Sequence, residues 1–480
     1  GETAYFEYLY FKKLDQENSN YYSLRNTDSR SAAFYANATY SFNGKYVVNG
    51  TFRYEGSNQM GRTTKARWMP TWNVSGAWNV HEESFFPKLK PLSSLTFRVS
   101  YSLTGTPPDA SYCSALTKLS MNTLYRPTTS DKELGFVVAA LGNDELTYEK
   151  KHEFNFGVDA GFFNNRLNVT FDVYQRRNFD EIAPTVTQLY GTAYANVGSM
   201  KSWGEELSIS STNVKTNDFS WQTSLIYSHN RTEITDLYNQ GRVIDLVQGN
   251  GFAKQGYPAR ALFSIPFVGI NEKGYPVCIN EKGQATVGDL DFQNRDNTDY
   301  LIYEGSTDPI YNGSLGNTFN YKGFHLNLFL TYAFGNVVRL DPVFSAKYND
   351  LKSMTHDFKN RWMQPGDENA TNVPGVVSRY EFEQNHTLLA TAYNAYNYTS
   401  VRTAKGDFIR LKEISLAYDF PHRWLENSPV NNISLKLQAT NLMLLYADKK
   451  LNGQDPEFMN AGGVASPMPK QFTLTLKLGL

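Results

Sequence analysis

The stretch Leu95-Thr-Phe-Arg-Val-Ser-Tyr-Ser-Leu103 decides the fold. Leu95, Phe97, Val99, Tyr101 and Leu103 share one parity, and Thr96, Arg98, Ser100 and Ser102 the other. Successive side chains of a strand point to opposite faces, so a period of two gives one apolar and one polar face. About ten residues is the length with which a tilted strand crosses a bilayer. Variants of the pattern recur about fourteen times, which predicts an all-β chain built as a transmembrane antiparallel β-barrel.

Composition agrees. The 480 residues carry a net charge of −1 and only 19% charged residues, so nothing here attracts nucleic acid. Aromatics reach 15%, with 32 Tyr and 31 Phe, a composition that favours sheet and membrane interfaces. No apolar run is long enough for a transmembrane helix. Cys113 and Cys278 lie outside any CxxC or metal context, and either a bridge or two free thiols is compatible with the sequence. No leader precedes the opening run Ala4-Tyr-Phe-Glu-Tyr-Leu-Tyr-Phe11, which reads as a first strand over 4–13.

Further apolar parities run from Phe34 to Phe42, Val48 to Tyr54, Trp72 to Val80, Phe154 to Phe162 and Leu167 to Val173. A weaker run surrounds Glu206 to Ile209, followed by Phe219 to Tyr227, Leu315 to Tyr321 and Phe324 to Tyr332. Ile414 to Phe420, Ile433 to Ala439 and Phe472 to Leu480 complete the series. In the Phe408–Phe420 segment the apolar phase slips, which predicts a bulge near Lys412-Glu413. Short connections (43–45, 81–94, 164–165, 212–218, 322–323, 421–430) alternate with long ones (14–30, 56–67, 104–150, 179–200, 231–310, 335–405, 444–468). Short periplasmic turns and long outer loops are what outer-membrane barrels show. The apolar run Ala261 to Ile270 would reverse this alternation if it crossed, so it belongs to an outer loop. Aromatics at the strand ends, such as Phe42, Tyr46, Tyr54, Trp72 and Tyr101, fit two interfacial girdles.

No catalytic arrangement is present in the sequence: the seven His are isolated, and there is no HExxH, GxSxG, P-loop or strand-borne GxGxxG. The chain is therefore not expected to be an enzyme. The sequons at Asn37, Asn49, Asn73 and Asn168 fall on the polar strand face and read as lumen wall. Asp289-Leu-Asp-Phe-Gln-Asn-Arg-Asp-Asn-Thr-Asp299 has the oxygen spacing of a calcium loop but lacks its turn glycine and final Glu. It reads as a solvated loop, and no cofactor is expected.

Several segments, in order and spacing together, resemble the SusC/RagA group of TonB-dependent outer-membrane transporters. They are Arg67-Trp-Met-Pro-Thr-Trp-Asn-Val-Ser-Gly-Ala-Trp78, Phe162-Phe-Asn-Asn-Arg-Leu-Asn-Val-Thr-Phe-Asp-Val-Tyr174 and Asn196-Val-Gly-Ser-Met-Lys-Ser-Trp-Gly-Glu-Glu-Leu-Ser208. Later come Asn320-Tyr-Lys-Gly-Phe324, Asn360-Arg-Trp362, Phe408-Ile-Arg-Leu-Lys-Glu-Ile-Ser-Leu-Ala-Tyr418 and Ala439-Thr-Asn-Leu442. The resemblance implies a barrel of about 22 strands with an N-terminal plug. It also implies a SusD-like surface lipoprotein lid and energy from TonB–ExbB–ExbD. The plug is missing from this sequence, and about fourteen strands leave about eight unaccounted for. An open sheet in lipid leaves two unpaired edges, so either the first strand pairs with residues outside this numbering or the barrel closes at fourteen, and the former, with this chain the C-terminal part of a larger barrel, is expected.

The first functional reading is active import of an oligosaccharide or oligopeptide across the outer membrane, with membrane lipid and lipopolysaccharide around the wall. Loop 335–405 carries Phe344, Tyr348, Phe358, Trp362, Tyr380, Tyr393, Tyr396 and Tyr398, and loop 104–150 adds Tyr112 and Tyr125. Aromatics among Asn and Asp suit sugar faces or peptide chains. Tyr112, Tyr125, Trp362, Tyr393 and Tyr396 are the substrate-binding candidates. A passive porin-like channel is the alternative. A soluble glycan-binding sandwich would share the period of two, but not the alternation of short and long connections.

Overall fold

The computed structural model describes residues 5–10, 12–13, 28–58, 60–86, 91–108, 117–125, 132–187, 191–348, 353–426, 429–461 and 469–479. Its centre is one 13-stranded antiparallel sheet whose strands pair in chain order. They are β1 (Ser31–Phe42), β2 (Tyr46–Ser57), β3 (Trp68–Asn79), β4 (Leu92–Thr106), β5 (Glu149–Phe162), β6 (Leu167–Thr187) and β7 (Gly191–Lys215). β8 (Phe219–Leu237), β9 (Tyr311–Tyr321), β10 (Phe324–Phe334), β11 (Phe408–Asp419), β12 (Asn432–Ala447) and β13 (Gln471–Gly479) follow.

The expected first strand is corrected. Residues 5–10 are helical, so the wall has thirteen described strands and not fourteen. The physical reason is in the run itself: Phe6, Tyr8 and Tyr10 lie on one parity and Tyr5 and Leu9 on the other, where Glu7 is the single charge, so neither parity makes a consistently polar lumen face. Short apolar runs do not separate strand from helix. β1 therefore descends from the side of the long connections, and β1 and β13 are the two edges of the sheet among the described residues.

Pairing fixes the faces. Phe34 opposes Tyr54, Ala36 opposes Phe52 and Tyr40 opposes Val48. Trp72 opposes Leu103, Val74 opposes Tyr101, and Val99 in turn opposes Phe156. This apolar face is open to the surroundings, with Val74 at 53% and Leu474 at 69% exposure. A contiguous exposed apolar surface of that extent is a membrane face. The opposite face is polar and cross-linked, as where Asn49 Nδ2 donates to Thr39 Oγ1 at 2.6 Å. Stacked Tyr46–Trp78 and tilted Trp78–Phe97 pairs run along the lower rim, while Trp72–Tyr101 and His229–Tyr311 contacts mark the upper one.

The lower turns are built from residues that tolerate positive φ. Asn43 (φ 51) precedes Gly44 (φ 68), and Lys322 (φ 46) precedes Gly323 (φ 88), the mirror-image turn that matches strand twist. The predicted bulge is present: Phe329 pairs with Glu413 and Leu330 with Leu411, which leaves Lys412 as the extra residue.

Three outer segments differ from expectation. Residues 179–187 and 191–200 continue the paired strands β6 and β7 rather than forming a loop, with register shifts at Phe179/Glu181 and Glu181/Ile182. Strands of 21 and 25 residues exceed the span of a bilayer, so this hairpin stands above it. Connection 104–150 contains a separate hairpin, Lys118–Tyr125 with Lys132–Ala140. β8 extends to Leu237, beyond the expected start of a loop at 231.

The remaining outer connections pack into a domain with its own core. Ala261–Ser264 pairs with Ile302–Ser306, and Phe267–Ile270 with Pro276–Ile279, all outside the large sheet. Around them Val243, Leu246, Val247, Phe263, Ile265, Leu301 and Ala395 are buried together. Cys278 is a buried free thiol in this core, and burial pushes it up to about 12. Cys113 lies outside the described residues.

Candidate functional site at the outer mouth

Arg339 holds the outer domain together. It leaves β10 through the strand Val337–Arg339 and enters the core at 5% exposure. Its guanidinium donates to the carbonyls of Val247 (3.2 Å), Thr399 (2.8 Å) and Phe263 (2.6 Å) and to Ser264 Oγ (3.1 Å). One side chain thereby satisfies three backbone oxygens from three separate segments, each of which would be costly to bury alone. Burial lowers its pKa to about 9. Arg402, also buried, donates to Asp341 O at 2.9 Å and lies over the Phe344 ring. Arg410, just above the Lys412 bulge, meets both oxygens of Asp455 at 2.6 Å and ties connection 448–470 to the wall.

Where these loops meet there is a cavity of about 400 Å³. Gln248, Gly249 and Asn250 come from the 238–310 connection, Leu340 to Val343 and Tyr398 from 335–407, and Met459 from 448–470. Leu340, Pro342, Val343, Met459 and the Tyr398 ring make it largely apolar, with Gln248, Asn250, Arg339 and Asp341 as polar residues at its lining. Pockets of this volume and lining hold small ligands or side-chain-sized parts of larger ones.

Below, the inner face of the wall carries fixed charge. Arg98 Nε meets Asp159 at 2.6 Å and Arg98 Nη2 meets Asp172 at 3.1 Å, while Thr170 donates to Asp159 at 2.9 Å. Gly157 lies under the guanidinium, where a Cβ would come within 2.7 Å of Arg98 Cζ. Arg176 and Glu153 form a second pair at 3.0 Å. A lumen lined this way presents hydrogen-bonding groups and alternating charge to a polar passenger.

The sequence candidates fare unevenly. Tyr112 lies outside the described residues, and Tyr125 closes the 118–125 strand opposite Lys132. Tyr393 and Tyr396 are corrected: at 1% and 2% exposure both are core residues of the outer domain, with no surface for a ligand. Tyr393 donates to Gly375 O, and Tyr396 packs edge-on against Phe344 and Phe267. They sit on the inward side of the helix His386–Asn397, whose buried positions 389, 392, 393 and 396 recur at helical spacing. Trp362 is half-buried against the backbones of Gly274 and Gly375, where any Cβ would clash with its ring, and Nε1 donates to Glu368 at 3.0 Å. Of the loop aromatics, Tyr398 lines the cavity. Arg339 and Gln248 were missed. A lone Arg inside Asn336-Val-Val-Arg-Leu340 was the available signal for a buried cation. The acidic stretch 289–299 scatters its carboxylates, with Asp289 near Lys282 and Asp299 on Lys254. No cluster of three His, Cys, Asp or Glu able to hold a metal occurs among the described residues.

Comparison with known proteins agrees with this architecture. The family described as "TonB dependent receptor-like, beta-barrel" matches residues 2–341. TonB-dependent receptor SusC of Bacteroides thetaiotaomicron is 25% identical, covering 100% of this chain and 46% of its own. TonB-dependent receptor P3 of Formosa agariphila is also 25% identical, covering 88% of this chain and 41% of its own. Among solved structures, the RagAB peptide transporter superposes with a TM-score of 0.74 at 23% identity, covering 94% of this chain and 47% of that one. The chain spans less than half the length of these relatives. It resembles SusC and RagAB in sequence or fold, and it belongs to the TonB-dependent receptor-like β-barrel family of the outer membrane.

Proposed function

We propose that this chain supplies wall and outer mouth to a TonB-energised importer of oligomeric nutrients, oligosaccharides or oligopeptides, working with a SusD-like lipoprotein. The observation that carries the reading is the cavity formed where three outer connections meet above a charged inner face. A passive pore needs no packed domain at its mouth, whereas an importer must recognise cargo before admitting it. The relative named as a peptide transporter and the relative named SusC support the class and leave glycan and peptide both open. Uptake of labelled oligosaccharide and peptide mixtures by cells with and without the full protein tests this. Loss of uptake of one mixture in the deletion strain is expected, and equal uptake of both overturns it. Single-channel recording separates the porin-like alternative, because steady conductance by the intact protein contradicts a gated importer.

A further inference from the structure

Across β5 to β8 the outward face changes character within a few rows. Val169, Ile209 and Leu225 lie opposite one another, then Phe171, Leu207 and Tyr227. The next row is Val173, Glu205 and His229, then Gln175, Trp203 and Arg231, and finally His152, Arg177, Lys201 and Glu233. Arg177 lies about ten residues above the lower end of β6, the height at which a tilted strand leaves the apolar layer. The charged rows thus sit at headgroup level on the side that faces lipid, not on the lumen side.

The acidic groups of this band are already engaged. Glu233 meets Lys201 at 3.2 Å, Glu205 faces His229 at 3.3 Å, and Asp180 meets Lys150 at 2.6 Å. Arg231 stacks over Trp203 at 5.6 Å, and Lys201 approaches the same ring. Arg177 stands directly opposite Lys201, a like-charge pairing that costs energy in a sheet. Neither Arg177 nor Arg231 has a carboxylate partner among the described residues. From this arrangement we infer that Arg177 and Arg231, flanking Lys201, bind the phosphates of an outer-leaflet glycolipid beside the wall. Planar guanidiniums bind phosphate through two parallel hydrogen bonds, and an anion between Arg177 and Lys201 turns their repulsion into attraction. The apolar rows beneath receive the acyl chains.

The test uses the full protein purified in detergent, then incubated with phosphorylated lipid A, the same lipid dephosphorylated, or phosphatidylglycerol, and washed. Lipid retained per protein is measured by mass spectrometry. The wild type is expected to retain phosphorylated lipid A about tenfold better than R177Q/R231Q, the loss expected for removing charge-assisted contacts. The R177K/R231K variant should fall between them, keeping charge without the paired geometry. Heat-modifiable migration on gels shows that each variant is folded, and the single R177Q and R231Q changes serve if the double one is not. Equal retention by wild type and Gln variants overturns the inference. So does equal retention of phosphorylated and dephosphorylated lipid, or arginine-dependent retention of phosphatidylglycerol as strong as that of lipid A.

Discussion

Arg339 shows how much one buried side chain can organise. Its hydrogen bonds reach the 243–247 helix end, the Ala261–Ser264 strand and, more than 130 residues further along the sequence, Thr399 beyond the long helix. Replacing it with Met keeps apolar bulk but leaves those carbonyls buried without donors. Arg339→Met should destabilise the outer domain by about 3–5 kcal/mol, while the wall, which shares none of those bonds, stays intact. Limited proteolysis over increasing urea reports the outer domain, and heat-modifiable gel migration reports the wall. A parallel loss of both signals would mean that the two parts do not unfold separately.

At the level of elements, the wall was legible because membrane strands obey a simple rule: every second residue must suit lipid. That rule found all thirteen described wall strands and the Lys412 bulge, yet it failed over 5–10, where both parities are mostly apolar. It also failed above the bilayer. There the outward face of β6 to β8 meets water, the constraint on parity lapses, and residues 179–200 looked like loop. The bulge makes a sharp prediction. Deleting Lys412 from β11 leaves Glu413 opposite Phe329 and Leu411 opposite Leu330 as consecutive pairs, so the apolar parity runs unbroken from Ile409 to Tyr418. Heat-modifiable barrel formation should therefore survive both the deletion and Lys412→Thr, and its loss in the deletion alone would show that the bulge itself is required for closure. A second prediction concerns the short helix Val243–Val247. Asp245 accepts from Arg242 side chain and backbone, and these bonds hold its carboxyl below the ordinary carboxylate range. Its contribution is therefore complete above the unfolded value of about 4 and is lost as pH falls through the lower folded value. Protease resistance of the outer domain should fall with acid between those values, and Asp245→Asn should remove that dependence by lowering resistance at neutral pH.

Over the whole molecule, a membrane wall and a water-soluble domain are joined in one chain, and they were unequally readable. The outer domain has no periodic signature, because its core is assembled from short pieces brought together by distant contacts such as Phe263, Leu301 and Ala395. Tyr393 and Tyr396 were chosen as ligand contacts on composition alone, and helical spacing within 386–397 was the overlooked sign that they face inward. The distinction between core and cavity can be tested directly. Tyr393→Ala removes a buried ring and should cost about 3–5 kcal/mol, shifting outer-domain proteolysis to lower urea and weakening cargo uptake only as a consequence. Val343→Asp places a charge in the largely apolar cavity instead. Half-buried at the edge of the domain, it should leave the proteolysis midpoint near that of the wild type while reducing uptake about tenfold. If Val343→Asp transports normally with an unchanged proteolysis profile, the cavity is not part of the cargo path. The recognition surface would then lie on the charged inner wall around Arg98 and Asp159, where Asp159→Asn becomes the variant that separates binding from folding.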